Sequence, residues 1–68
     1  MTNADAIKKA VTEGDSYLAG QWVDRMRAMG ASNNSIASRA NKLTGISADG
    51  LADLLAGDDR IFVVKTEG

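Results

Sequence analysis

Two short corners constrain the fold of this chain most: Gly30-Ala31-Ser32 and Gly45-Ile46-Ser47 each place a glycine two residues before a serine. Glycine readily adopts the left-handed conformation that ends many helices, and serine is a preferred residue at the start of the next helix. Between the corners, Ile36, Ala40 and Leu43 recur at helical spacing. We therefore expect short helices on both sides of each corner, folded into a compact cluster.

The same stop and cap signals predict four helices along the chain. We expect them at about residues 3–12, 15–29, 33–43 and 48–56, with caps at Thr2 or Asn3, at Asp15, at Ser32 or Asn33, and at Ser47. A break at Gly14 is favoured over one continuous first helix because Asp15 is a good cap. The predicted buried stripes are Ala4, Ile7 and Val11; Leu18, Trp22, Met26 and Met29; Ile36, Ala37, Ala40 and Leu43; and Ala48, Leu51, Leu54 and Leu55.

The C-terminal part has a different pattern. After a turn at Asp58 and Asp59, residues 60–65 are rich in β-branched and aromatic side chains, which predicts a short strand. One strand is not stable alone, so it must pair with another extended piece of this chain or of a second chain. The expected organisation is one domain, 1–68: an N-terminal helix (1–14), a trihelical core (15–57), the strand (60–65) and a frayed tail (66–68).

Composition excludes several classes of function. The 68 residues contain no Cys and no His, which excludes a disulfide framework and a Cys/His zinc site. No nucleophile motif or phosphate-binding glycine loop is present, so we expect no enzyme, no cofactor and no metal. No stretch is long and apolar enough to span a membrane, and a cytoplasmic location is the expectation. A domain this small often gains stability from a partner, and a homodimer is one such solution.

The charges are separated along the chain although the net charge is only −1. Residues 32–46 carry Arg39 and Lys42 and no acidic side chain, whereas residues 47–59 carry four aspartates and no cation. A basic segment is therefore followed directly by an acidic one, which favours macromolecular binding.

The paired corners, together with the segment after them, resemble the helix-turn-helix and winged-helix superfamily over residues 15–65. The resemblance implies a mainly α fold, a wing at the C-terminal strand, and DNA binding in transcription regulation. In that superfamily the helix after the second corner enters the major groove. Here that placement presents Ser47, Ala48, Asp49, Gly50 and Asp53, and the two carboxylates would be repelled by phosphates.

A second placement makes the helix after Gly30 the reading helix. Its polar side chains suit bases and phosphates, and two cations from the strand could add phosphate contacts. The DNA-binding candidates are Asn33, Asn34, Ser35, Ser38, Arg39, Lys42, Arg60 and Lys65. The alternative function is a protein-interaction module or inhibitor that docks through the acidic fourth helix or through the C-terminal strand; its candidates are Asp49, Asp53, Asp58 and Asp59.

Overall fold

The computed structural model describes residues 2–64, and four helices are present in this part of the chain. They are α1 (Asn3–Glu13), α2 (Ser16–Ala28), α3 (Asn33–Thr44) and α4 (Ala48–Ala56). The predicted bounds are confirmed to within one or two residues. The predicted break between the first two helices is also confirmed, because Gly14 ends α1 in the left-handed conformation, at φ 66°.

Each helix begins at a side-chain cap that the sequence predicts. The side chains of Thr2, Asp15, Ser32 and Ser47 each accept a hydrogen bond from the backbone N–H three residues further on. Such a bond satisfies one of the N–H groups that a helix start leaves without an intrahelical partner. At the two corners, Gly30 and Gly45 have φ of 90° and 80°, so both chain reversals use the left-handed region that favours glycine.

The core lies where all four helices meet. Both α1 and α4 pack against α2 and α3. Trp22 is 1% exposed, which confirms it as a core residue. The largest fully buried side chains are Trp22, Ile7, Ile36, Leu51, Leu55 and Val23.

One residue of the predicted apolar stripes is wrong, and the predicted stripe of α1 is incomplete. Met29 is 64% exposed because α2 ends at Ala28, so the helical periodicity that would bury position 29 stops before it. On α1 the buried side chains are Ala6, Ile7 and Ala10, while Ala4 and Val11 are only partly buried. Two alanines and Ile7 therefore form the innermost surface of α1.

The predicted C-terminal strand is not formed over residues 60–64, and residues 65–68, with the tail expected to fray, lie outside the described part of the chain. A strand requires a neighbour to complete its hydrogen bonds, and within residues 2–64 no second extended segment runs beside it. The segment packs on the helices instead. Phe62 is only 7% exposed and belongs to the core, and the N–H of Arg60 donates to the carbonyl of Leu55 at 3.1 Å.

Candidate nucleic-acid interface

The outer face of α3 carries four polar side chains on one side of the helix. Positions 35, 38, 39 and 42 follow the spacing that places residues on one helical face. All four side chains, Ser35, Ser38, Arg39 and Lys42, are exposed, and together they line a shallow depression of about 270 Å³. We call this surface the α3 face. The sequence predicted it, and the opposite side of the helix buries Ile36, Ala37 and Ala40.

The charge on the α3 face is not neutralised by the rest of the described chain. Neither Arg39 nor Lys42 makes an ion pair with any residue in 2–64. All residues that line the depression come from α3, and none of them is acidic. The α3 face therefore presents two cations and two hydroxyl groups, which is a donor set suited to a phosphate-bearing ligand.

An apolar groove lies directly beside the α3 face, where α1, α2 and α3 meet. It has a volume of about 230 Å³ and is lined by Asn3, Ala4, Trp22, Met26, Met29, Arg39 and Leu43. Arg39 thus lines both depressions. On the α1 side of the groove, Nη1 of Arg25 donates to Oδ1 of Asn3 at 3.4 Å. Arg25 is thus bonded to a residue of the groove that Arg39 also lines, while Lys42 lies beside Arg39 on the α3 face; we call these three cations the basic strip.

The N-terminal end of α3 is engaged within the protein. Oδ1 of Asn33 accepts from Nε and Nη2 of Arg27 at 3.3 and 2.9 Å, and Nδ2 of Asn33 donates to the carbonyl of Val63 at 2.8 Å. The guanidinium of Arg27 also lies over the ring of Phe62, 5.9 Å from its centroid. Asn33 thus links α2, α3 and the C-terminal segment. Both polar atoms of its side-chain amide are hydrogen-bonded within the protein. Asn34 is exposed beside this contact and shares a depression with Ser32, Asn33 and Val63.

The side chain of Arg60 is also engaged in contacts within the protein. Lys65 lies outside the described residues. Nη1 of Arg60 lies 2.9 Å from Oδ1 of Asp24, and its Nε lies 3.3 Å from Oδ2 of Asp58. The hydrogen bond to Asp24, followed by the one to Asp58, raises the pKa of Arg60 above its ordinary value. The side chain also crosses α2 at Gly20, where an added Cβ would collide with Nε of Arg60. Arg60 therefore attaches the C-terminal segment to α2, and its guanidinium binds Asp24 and Asp58 instead of facing a ligand.

The four predicted docking aspartates do not share one role. Asp49 and Asp53 are exposed on α4 and make no ion pair with residues 2–64. Asp58 binds Arg60, and Asp59 stands in the turn with φ 56°, a left-handed conformation that Asp tolerates better than most residues. Asp49 lies in the first turn of α4, where a negative charge favours the helix.

Sequence reasoning missed two features: the hydrogen bond of Arg25 to Asn3, and the hydrogen bonds between Arg27 and Asn33. Arg25 reaches Asn3 across 22 positions of the chain, and the arginine–asparagine contact depends on the angle between α2 and α3. Neither arrangement leaves a local pattern in the sequence. Of the predicted DNA-binding residues that the structure describes, Asn34 and the four residues of the α3 face are exposed.

No family model, no curated protein and no solved structure matches the chain. Among the helices of residues 2–64, none has both the length and the apolar composition needed to cross a bilayer.

Proposed function

We propose that the chain is a small DNA-binding regulatory protein that docks α3 on duplex DNA, with α2, the corner at Gly30 and α3 acting as a helix-turn-helix-like unit. The observation that carries the proposal is the α3 face, whose two cations are exposed and unpaired within residues 2–64. Phosphates supply most of the affinity of proteins for DNA, and hydroxyl and amide groups can contact bases or phosphates. Ser35 and Ser38 lie one helical turn before Arg39 and Lys42, and they would contact the duplex beside the phosphate contacts of these two cations.

The basic strip sets the expected strength of binding. Three cations, Arg25, Arg39 and Lys42, allow about two to three phosphate contacts for each copy of the chain. Each contact contributes about −0.9 to the slope of log K against log salt, so the slope should be about −2 to −3. Binding by one copy is then expected in the range typical of non-specific complexes, with Kd of about 10⁻⁴ to 10⁻⁶ M.

The test is fluorescence anisotropy of a labelled duplex of mixed sequence, titrated at several salt concentrations. Lys42→Glu should weaken binding and reduce the salt slope by about one unit. Lys9→Glu is the matched control: Lys9 is exposed, makes no ion pair within residues 2–64 and changes the net charge equally. Lys9 also lies on the side of α1 opposite the buried Ile7, so its substitution should leave the core intact.

The double variant Arg39→Glu with Lys42→Glu should abolish binding while the helix content measured by circular dichroism stays that of the parent. Absence of salt-dependent binding by the parent would refute the proposal. So would equal weakening by Lys9→Glu and Lys42→Glu, because net charge alone would then explain the effect.

A second candidate function is docking of a basic protein partner on α4. The exposed carboxylates of Asp49 and Asp53 are the observation that favours it. It has less support because Asp58 is already bound to Arg60 within the protein. The variant Asp49→Lys with Asp53→Lys separates the two functions. It should strengthen or preserve DNA binding, whereas it should abolish capture of a basic partner.

A further inference from the structure

The groove where α1, α2 and α3 meet is lined mainly by apolar side chains. Trp22, Met26 and Leu43 belong to its lining and also pack in or against the core, so the lining is continuous with the protein interior. Met29, which lines the groove as well, is 64% exposed. A small apolar group that enters this groove leaves water and therefore gains free energy.

The charge beside this apolar lining is positive. Arg39 lines the groove, is exposed and makes no ion pair within residues 2–64. No acidic side chain of the described residues lines the groove, and a second cation, Arg25, is hydrogen-bonded to Asn3 of the lining. A guanidinium binds a carboxylate through two parallel N–H···O bonds. The groove therefore offers an apolar surface and an anion-binding group to the same ligand.

The size of the groove favours a small ligand over a segment of a protein. An apolar cavity of about 150 Å³ holds benzene, so the groove, at about 230 Å³, has room for about eight to ten heavy atoms. An amphipathic helix of a partner would need several anchor pockets spaced one helical turn apart. The groove is instead confined to one junction of three helices, and its volume suits a single short alkyl chain.

We propose that the groove binds a medium-chain carboxylate of about eight carbon atoms, with its chain against Trp22 and Leu43 and its carboxylate at Arg39. The same guanidinium is one of the two cations of the α3 face. A ligand that binds Arg39 withdraws it from phosphate and so weakens docking on DNA. This consequence rests on the proposed function, whereas binding of the carboxylate itself does not depend on DNA.

Trp22 is the single tryptophan of the chain and lines the groove, so its fluorescence reports occupancy directly. The parent is titrated without DNA, at constant ionic strength, with hexanoate, with octanoate and with octanamide, the neutral analogue of octanoate. Octanoate should bind with Kd of about 1 to 10 mM. Each CH₂ group between hexanoate and octanoate should lower Kd about two- to fourfold. Octanamide should bind about fivefold more weakly than octanoate, because it lacks the charge.

Three variants test the assigned contacts. Arg39→Gln should weaken octanoate about fivefold and leave octanamide unchanged. Lys9→Gln is the matched control, because it removes an exposed cation that does not line the groove, and it should change neither ligand. Ala4→Met places a longer side chain in the groove and should weaken both ligands, while circular dichroism shows that its helix content is that of the parent.

Several results would overturn the proposal. One is a Kd that does not depend on chain length, and another is octanamide binding as tightly as octanoate. A third is unchanged Trp22 fluorescence together with unshifted amide signals of Ala4 and Leu43 in a ¹⁵N–¹H correlation spectrum. A Kd that rises with protein concentration would mean that a second copy of the chain occupies the groove, and this would overturn the proposal as well.

The consequence for DNA is measured separately. Saturating octanoate should lower the affinity for duplex DNA and reduce the salt slope by about one unit, whereas acetate at the same concentration should do neither. A parent that binds octanoate but not DNA would refute the proposed function alone. A parent that binds DNA but not octanoate would refute the ligand site alone. Octanoate binding that leaves the DNA affinity unchanged would overturn the competition at Arg39.

Discussion

The contrast between two neighbouring apolar residues gives the sharpest prediction about stability. Ile61 and Phe62 are neighbours in an apolar segment, and the sequence alone does not distinguish them. In the structure Ile61 is 86% exposed, whereas Phe62 is 7% exposed. Removing a buried Phe side chain costs about 3 kcal/mol or more, because transfer energy is lost and a cavity is left. Truncation of a solvent-exposed residue changes stability by about 0.5 kcal/mol or less.

These free energies translate into clearly separated melting temperatures. Unfolding entropy is about 2.1 cal/mol/K for each residue, which for the 68 residues of this chain makes 1 kcal/mol worth about 7 °C. Phe62→Ala should therefore lower Tm by about 20 °C, whereas Ile61→Ala should lower it by at most about 4 °C. A domain of this size has a total stability of only several kcal/mol, so Phe62→Ala leaves it close to unfolding.

The assay is thermal unfolding followed by far-ultraviolet circular dichroism. It should be run at concentrations low enough that Tm no longer depends on concentration, so that self-association does not contribute. Equal Tm values for Phe62→Ala and Ile61→Ala would refute the reasoning, because the segment would then not be packed on the helices as described.

Three further predictions concern the corner before α3 and the contact between α2 and Arg60. Ser32→Ala removes the cap of α3 and should destabilise the fold by about 1 kcal/mol, measured by urea unfolding, while Ser32→Gly should cost only a few tenths. Gly20→Ala should gain about 1 kcal/mol from helix propensity only in an Arg60→Ala background. In the parent the new Cβ displaces Arg60 from Asp24, so a double-mutant cycle should show strong coupling. Because the pKa of Arg60 is raised, the stability it contributes is present below its ordinary pKa and is lost only as pH rises past the raised value. Stability measured between about pH 5 and 10 should therefore show the same change on Arg60→Gln throughout.

The helices could be predicted from the sequence because their signals are local. Gly14, Gly45 and the cap residues Asp15 and Ser47 act within one turn of the helix that they start or end. The α3 face followed from the same locality, since helical spacing alone places its four residues on one side.

The contacts that decide which polar residues remain displayed could not be predicted in this way. Asn33 and Arg60 have the right chemistry for nucleic acid, but Arg27, Val63, Asp24 and Asp58 engage them across turns and helix junctions. The strand prediction failed for a related reason. Composition predicts an extended segment, but a ladder needs a neighbour, and within residues 2–64 the neighbours of this segment are helices.

Mapping the contact surface residue by residue tests the central proposal most directly. In a ¹⁵N–¹H correlation spectrum recorded during titration with a short duplex at low salt, we expect the largest shifts at the amides of Ser35, Ser38, Arg39 and Lys42. The amides of Asp49 and Asp53 on α4 should stay near their starting positions. Shifts centred on α4, or no shifts anywhere at millimolar duplex, would contradict docking through the α3 face.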